Sequence, residues 1–249
     1  MAKSEEALAD AVSSARAGSA GGVSRKATRR RKATREEKSE RIRKELFRAA
    51  AEIVGEVGYA GASITLITQR AGVAQGTFYN YFESRQDLLD KLLPELGEEM
   101  RVHIREAALR APHNFAELER SGFEAFFGFL KENPHFLRIL NEAESYAVAG
   151  YQKHLDATAK DYVRFLARAQ RNGEFPGYQE VELEAIAFIL MAARSYLAVR
   201  YLGKHVNRRR PTKLPPVVVD TYMKFVLHGL QGGGGSARRT PDKADRSGR

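Results

Sequence analysis

The pattern of residues 63–82 constrains the fold of this 249-residue chain more than any other segment does. Ser63 can cap a helix, because its hydroxyl can accept a backbone N–H of the first turn. Apolar residues then share one helical face at spacings of three and four, namely Ile64, Ile67 and Ala71. Gly72 stands where a tight turn needs a residue that tolerates positive φ. A second short helix follows, so the segment is expected to fold as a helix-turn-helix.

The second helix of this motif carries polar and aromatic side chains at its exposed positions, which are Gln75, Thr77, Tyr79, Asn80 and Tyr81. Phe78 and Phe82 fall on the opposite face and are expected in the core. The second helix of such a motif lies in the major groove of DNA, where a Gln amide can pair bidentately with adenine. The alternative, a helical hairpin inside a bundle, leaves these exposed side chains beside a basic segment unexplained. The sequence therefore predicts double-stranded DNA as a partner.

The rest of the chain has helical periodicity, and no segment alternates as a strand would. Helices are predicted over 40–57, 85–109, 115–131, 134–146, 151–171, 180–202 and 215–230. Gly58 is expected to end the first of these helices, Gly150 to break the chain, and Pro94 to kink the long helix. The predicted fold class is all-α, with an N-terminal three-helix helix-turn-helix domain and a C-terminal helical bundle. The predicted divisions are a disordered basic arm at 1–38, the helix-turn-helix domain at 39–84, the bundle at 85–230 and a flexible tail at 231–249.

The net charge of +10 is unevenly distributed along the chain. Residues 25–35 hold seven Lys or Arg and no acid, and residues 204–213 hold five and no acid. Residues 238–249 carry a net charge of +3, so the remainder of the chain is mildly acidic. Basic tails of this kind bind a polyanion such as DNA with an affinity that depends on salt. They also serve simply to keep a protein soluble, and both interpretations stay open for the arm at 25–35.

Composition and motif content disfavour several other classes of protein. The chain has no cysteine, and its six histidines are scattered without the spacing of metal ligands. No hydrolase, zinc-protease, Walker or dinucleotide-binding motif occurs, so no enzyme activity, cofactor or metal is expected. The longest unbroken apolar run, 185–193, is too short to span a bilayer, and the N-terminus lacks a secretory signal. A cytoplasmic protein without a membrane partner is expected.

A set of residues between 42 and 93 follows a specific spacing: Ala49-Ala50, Gly58-Tyr59, Ser63-Ile64, Ile67, Ala71-Gly72-Val73, Gly76-Thr77, Tyr79, Tyr81-Phe82 and Leu88-Leu89. By these residues the segment resembles the N-terminal domain of the TetR family of transcriptional regulators. Ala74 and Arg85 depart from the family's common Ser and Lys, and Ala74 cannot cap the second helix through its side chain. The resemblance implies a set of DNA-contacting residues, which are Ser63, Thr65, Gln75, Gly76, Thr77, Tyr79, Asn80, Tyr81 and Arg85.

The resemblance also implies a homodimer on a palindromic operator, most commonly a repressor that a small hydrophobic or aromatic effector releases. The helices at 180–202 and 215–230 carry apolar residues around more than one side, as expected of a dimer interface. A DNA-binding regulator without a small-molecule ligand is the alternative.

Candidate pocket residues are Phe123, Phe126, Phe127, Tyr146, Tyr151, His154, Phe165, Met191 and Arg194. Ordinary core packing is the simpler role for each aromatic residue in this set. Arg194 requires a partner, which could be Glu142, Glu144, a ligand carboxylate or a group across the dimer interface. His154 could orient a ligand or simply be exposed.

Overall fold

The computed structural model describes residues 34–175, 177–202 and 214–231. All regular elements in these ranges are helices, which confirms the all-α fold class. The helix α1 spans 34–61. It is followed by α2 (Ile64–Ala71), α3 (Gln75–Phe78), α4 (Arg85–Ala108), α5 (Phe115–Glu132), α6 (Phe136–Tyr146), α7 (Val148–Arg171), α8 (Glu180–Leu202) and α9 (Pro216–Gln231).

The first three helices enclose a small aromatic core. Phe47 of α1 packs edge-on against Phe82, with ring centroids 5.2 Å apart, and Phe82 also contacts Phe78. All three rings are buried, as is Ile67 of α2. Phe78 and Phe82 are therefore core residues, as the sequence predicted. This core holds α3 against α1, so the opposite side of α3 faces outward.

The boundaries of α1 differ slightly from the prediction. The helix begins at residue 34, so residues 34–38 belong to it rather than to the preceding arm. Gly58 has a φ of 80°, which interrupts regular α-helical geometry at the position predicted to end this helix. Residues 1–33 and 232–249 lie outside the described part of the chain.

The long helix α4 connects the two parts of the molecule, since it starts directly after the helix-turn-helix and packs along α5 and α7. It continues through Pro94 for 24 residues. Its buried side is almost entirely leucine, with Gly97 and Met100 completing it. Because α7 also packs on α8, and α5 on α9, α4 is connected to both α8 and α9 through one intervening helix each.

The prediction that Gly150 breaks the chain is wrong. Gly150 lies in the first turn of α7, and it is buried where this helix crosses α4. A Cβ atom there would lie 2.2 Å from the backbone oxygen of Asp90. The glycine is needed for close packing of two helices rather than for a turn, a distinction that the sequence alone does not make.

The helix α8 is, by length and composition alone, apolar enough to cross a membrane. Within the fold it packs on α7, and Arg194 near its middle is buried. Only 22% of its most apolar 18-residue stretch is buried within the chain. The core helices of soluble proteins also meet this criterion, and the exposed apolar surface of α8 is considered below.

Candidate DNA interface and effector region

The helix-turn-helix is shaped by capping interactions that the sequence predicts. The Ser63 hydroxyl accepts the backbone N–H of Leu66 at 3.2 Å and so caps α2. Gly72 ends α2 with a φ of 67°, and its N–H returns to the last turn of the helix. Ala74 precedes α3 and makes no side-chain capping bond, as expected from the loss of the hydroxyl. The turn between the two helices is therefore set by short-range interactions.

The α-helical part of α3 is only four residues long. The chain then continues in tight turns, with the N–H of Asn80 bonded to the carbonyl of Thr77 and that of Tyr81 bonded to Phe78. The second helix of the motif is thus shorter than its sequence suggests, although consecutive hydrogen-bonded turns continue it as far as Phe82.

Most of the predicted DNA-contacting residues are accessible in this segment. Gln75, Gly76, Tyr79 and Asn80 are exposed, whereas Thr77 and Tyr81 are half-buried. Thr65 is exposed on α2, and Ser63 is half-buried at its start. Amide, hydroxyl and phenol groups are therefore accessible in residues 75–81, while Phe78 anchors this segment in the core.

Arg85 has protein partners that the sequence analysis did not anticipate. Its guanidinium donates to the carbonyls of Ala62 and Tyr59, at the end of α1. It thereby ties the start of α4 to the end of α1. A phosphate contact by Arg85 stays a prediction, and it would compete with these bonds.

A second tie joins the helix-turn-helix domain to α6. Arg138 donates to the carbonyls of Gly55 and Glu56, at 3.1 and 3.0 Å. It also pairs with Glu142, whose carboxylate accepts the backbone N–H of Tyr59 at 2.9 Å. Glu142, which the sequence suggested as a partner of Arg194, therefore binds Arg138 and Tyr59 at the domain junction instead. These contacts and those of Arg85 make the position of α1 depend on α4 and α6.

The predicted basic arm falls mainly on 25–33, outside the described residues. Arg35, its last member, is exposed on the first turn of α1. Contact between this arm and DNA stays a prediction.

Arg194 is paired inside the chain. It is 7% exposed, and its Nη2 lies 2.7 Å from Oε1 of Glu119, which is 1% exposed. The Glu119 carboxylate also accepts the hydroxyls of Tyr162 and Tyr222, at 2.7 and 2.6 Å. The partners suggested from the sequence, Glu142 and Glu144, are not used. A fully bonded cluster of this kind ties together α5, α7, α8 and α9.

Sequence reasoning missed Glu119, although a signal was available. Glu119 lies on the same helical face as Phe115, Phe123 and Phe126, at spacings of four and seven residues. A carboxylate on an apolar stripe requires a buried cation. Only the folded chain shows that Arg194, 75 residues further on, supplies it.

The aromatic pocket candidates are mostly packed against one another or against the core. Phe123, Phe126 and Phe127 are buried, and Phe123 stacks on Tyr222 at 4.1 Å. Phe165 stacks on Phe115. The other members lie nearer the surface: Tyr151 and Met191 are half-buried, and Tyr146 is exposed against Tyr59. Their part in ligand binding stays a prediction.

His154 is buried rather than exposed, with 4% of its surface accessible. Burial, together with the nearby Arg101 cation, lowers its pKa from 6.5 to about 4, so the imidazole is neutral at pH 7. His154 is thus the pocket candidate whose polarity the fold leaves least satisfied.

Two clefts lie at the domain junction. The larger, of about 580 Å³, runs between α1, α4 and the start of α6, over Phe47, Leu96 and Phe136. The smaller, of about 410 Å³, lies between α4 and the end of α5. None of the nine pocket candidates lines either cleft. Within the described residues, no group of three or more acidic, His or Cys side chains is arranged to hold a metal.

Comparisons with known proteins agree with this arrangement. The model of the bacterial regulatory proteins of the tetR family matches residues 46–92. A Bacillus subtilis (strain 168) protein, the uncharacterized HTH-type transcriptional regulator YvdT, is 40% identical over 60 residues. That alignment covers 24% of this chain and 29% of the Bacillus protein, so it spans less than a third of this relative.

Solved structures match over a longer part of the chain. The fatty acid degradation regulator FadR from Bacillus halodurans has a TM-score of 0.63 at 20% identity, covering 76% of this chain and 96% of its own. A putative TetR-family regulator from Syntrophomonas wolfei has a TM-score of 0.64 at 18% identity, covering 80% and 99%. A putative TetR-family regulator from a Rhodococcus species gives 0.59 at 17%, covering 76% and 98%. At these identities the likeness shows the fold alone.

The family match and the helix-turn-helix geometry describe the same residues, and the fold of the described residues is similar to that of solved TetR-family proteins. Residues 46–92 therefore match the DNA-binding segment of the bacterial regulatory proteins of the tetR family, and the described fold is similar to that of solved TetR-family structures.

Proposed function

We propose that the protein is a homodimeric repressor that binds a palindromic operator and leaves it when a small hydrophobic or aromatic effector binds. The observation that carries the DNA part is the surface formed by residues 75–81. Gln75, Tyr79 and Asn80 are exposed there, while Phe78 in the same turn is fully buried. Polar groups held on a rigid backbone can read base edges and phosphates in a groove.

Each contact residue has a role that its chemistry suggests. The Gln75 amide suits adenine, and Thr77 suits a thymine methyl group or a phosphate. Tyr79 and Tyr81 suit phosphate and sugar, with Asn80 as a second base-reading candidate. The remaining residues are assigned either to contact with the DNA phosphate backbone or to leaving room for its close approach. They are Ser63, Thr65, Gly76 and Arg85.

Dimerisation would cover the apolar surface that α8 and α9 expose. Large side chains that one chain leaves uncovered on these helices are Val181, Phe188, Ile189, Tyr196, Val217 and Phe225. Monomeric proteins rarely expose apolar patches of this kind, and two copies of such a helix pair can form a four-helix interface. A twofold dimer presents two copies of α3, which matches an inverted-repeat operator.

The DNA part can be tested by fluorescence anisotropy with duplexes taken from the DNA flanking the protein's own gene, at several salt concentrations. Replacing Gln75 by Ala removes one bidentate contact and should weaken specific binding about 5- to 150-fold. Binding to a shuffled duplex should not change. Gln152→Ala, the same change at an exposed position of α7, serves as the matched control. Equal affinity for native and shuffled duplexes would refute sequence-specific recognition.

Effector release is the second part of the proposal. Arg85 and Arg138 tie α1 to α4 and α6, so a ligand that shifts these helices would move α3 relative to its copy in the dimer. A ligand releases DNA only as far as it binds the DNA-free geometry better. The alternative is a regulator without a ligand, which predicts that no small molecule changes operator affinity. We also place the protein in the cytoplasm, because a DNA-binding regulator must share a compartment with its operator.

A further inference from the structure

The two clefts at the domain junction adjoin each other and are strongly acidic. They share five lining residues, among them Lys44, Glu99 and Glu132, so they form one continuous groove, the junction trough, along α1, α4 and the end of α5. Eight of the residues that line this trough are glutamates, and two are lysine or arginine. A groove lined mainly by one sign of charge attracts ions of the opposite sign, so the trough favours a cation.

Three carboxylates of the junction trough have no cation of their own. Glu99, Glu106 and Glu132 form no ion pair among the residues that the structure describes. Burial and then the charge of Glu95 raise the pKa of Glu99, while Lys44 opposes this rise. Negative charge is therefore in excess in the trough, and a further cation placed there would be stabilised.

The same trough has an apolar floor. Phe47, Leu96, Phe136 and Ile139 are buried and line the larger cleft. Long basic side chains suit such a surface, because their aliphatic stems cover apolar groups while their charged ends reach carboxylates. No acidic or His side chains are arranged to hold a metal within the described chain. A segment rich in Arg and Lys therefore fits the trough better than a metal ion does.

The chain carries such a segment immediately before α1. Residues 25–33 hold six Lys or Arg and no acid, and they precede the described part of the chain. Two trough residues on α1, Lys44 and Glu52, lie about 15 and 27 Å along this helix from its start at residue 34. Nine residues of extended chain span up to about 30 Å, so the arm is long enough to turn back along α1 and reach both. The other basic segments adjoin α8 and α9, which do not line the trough.

We propose that residues 25–33 dock into the junction trough of the DNA-free protein and leave it when they bind DNA. The trough carboxylates and the DNA phosphates would compete for one set of cations, so docking lowers the affinity for DNA of any sequence without changing α3. Docking itself is independent of the proposed repressor role, whereas the exchange rests on DNA binding. The proposed dimer surface lies on α8 and α9, so the trough stays accessible in the dimer.

Zero-length crosslinking of the full-length protein locates the arm. A carbodiimide joins a lysine amine to a carboxylate only when the two groups are in contact, and the amines of the arm are Lys26 and Lys32. Peptide mapping by mass spectrometry should show them joined to Glu99, Glu106 or Glu132. These crosslinks should fall about fivefold or more in 1 M salt, where the Debye length is about 3 Å. An excess of duplex DNA at low salt should remove them as well.

Two double variants of equal net charge separate docking from overall charge. Glu99→Gln with Glu132→Gln removes two trough carboxylates. Glu124→Gln with Glu144→Gln removes two exposed carboxylates elsewhere on α5 and α6. In the first variant, crosslinks from the arm to the unchanged Glu106 should fall, and the affinity for a shuffled duplex should rise about two- to thirtyfold, the range for losing two exposed ion pairs. The second variant should keep the crosslinks and the affinity of the parent protein.

Arm crosslinks spread evenly over exposed carboxylates, Glu124 and Glu144 included, would overturn the proposal, as would trough crosslinks that DNA does not displace. Equal affinity of the two double variants for the shuffled duplex would overturn the exchange with DNA. Absence of arm crosslinks, together with saturable binding of spermidine in calorimetry, would overturn the docking and assign the trough to a free polyamine. The first crosslinking is done without DNA, so its result stands apart from success or failure of operator binding.

Discussion

The buried pair of Glu119 and Arg194 allows charge coupling inside the bundle to be measured. Their side chains are 1% and 7% exposed, and the two charges are 2.7 Å apart. Replacing Arg194 by Met leaves the carboxylate buried with the hydroxyls of Tyr162 and Tyr222 as its remaining donors. Removing one partner of a buried pair destabilises a protein by about 3–5 kcal/mol. We expect about 3 kcal/mol, because two hydroxyls still bond the carboxylate.

A second substitution should recover part of this loss. Glu119→Gln removes the negative charge but keeps an oxygen that both tyrosine hydroxyls can donate to. Alone it leaves the Arg194 cation buried, and it should cost about 3–5 kcal/mol. Combined with Arg194→Met, it leaves no unpaired charge, so the double variant should lose less than either single variant.

The assay is urea unfolding followed by circular dichroism, at one fixed protein concentration. The control is Arg120→Met, because Arg120 pairs with Asp220 at 3.1 Å on the surface, between α5 and α9. An exposed pair contributes about 0–1 kcal/mol. A double variant that loses the sum of the two single losses would refute the coupling, as would an Arg120 variant that loses as much as the Arg194 variant.

Three further predictions concern stability and assembly. As pH falls from 6.5 to about 4, the unfolded chain protonates His154 while the folded chain does not, so the free energy of unfolding should fall by about 3 kcal/mol. Urea unfolding at each pH measures this fall, and His154→Gln should lose this part of the pH dependence. Gly150→Ala should destabilise the fold by about 3 kcal/mol, because the added Cβ would lie 2.2 Å from the backbone oxygen of Asp90. The control Gly128→Ala should be neutral or stabilising in the same assay, because its added Cβ has no neighbour nearer than 3.8 Å. Phe225→Glu, at a position 68% exposed on α9, should convert the dimer to a monomer in light scattering while circular dichroism shows an unchanged helix content.

The helix-turn-helix could be predicted from the sequence because its signals are local. The Ser63 cap, the positive φ of Gly72 and the core positions of Phe78 and Phe82 depend on neighbours within a few residues. The length of the second helix could not be predicted, because the turns that follow it contain the same residue types as the helix. The bonds of Arg85 could not be predicted either, because they go to carbonyls more than 20 residues away.

The bundle was less predictable because its contacts are between distant segments. Glu119 and Arg194 each signal a buried charge, but only the fold pairs them. Arg101 and His154 look like surface residues of amphipathic helices, and they meet because Gly97 lets α7 approach α4. The sequence alone suggests that Gly150 breaks a helix, but in the fold its missing side chain allows α7 to pack closely across α4. In each case the tertiary contact decides what a locally ambiguous residue does.

The central claim, recognition of a defined operator by α3, is tested most directly by nuclease footprinting of the full-length protein on the DNA flanking its gene. One protected segment is expected, made of two half-sites in inverted repeat, and Tyr79→Ala should abolish the protection. Uniform protection of any sequence, lost when residues 1–33 are deleted and unaffected by Tyr79→Ala, would show that the basic arm holds the DNA and would contradict the account.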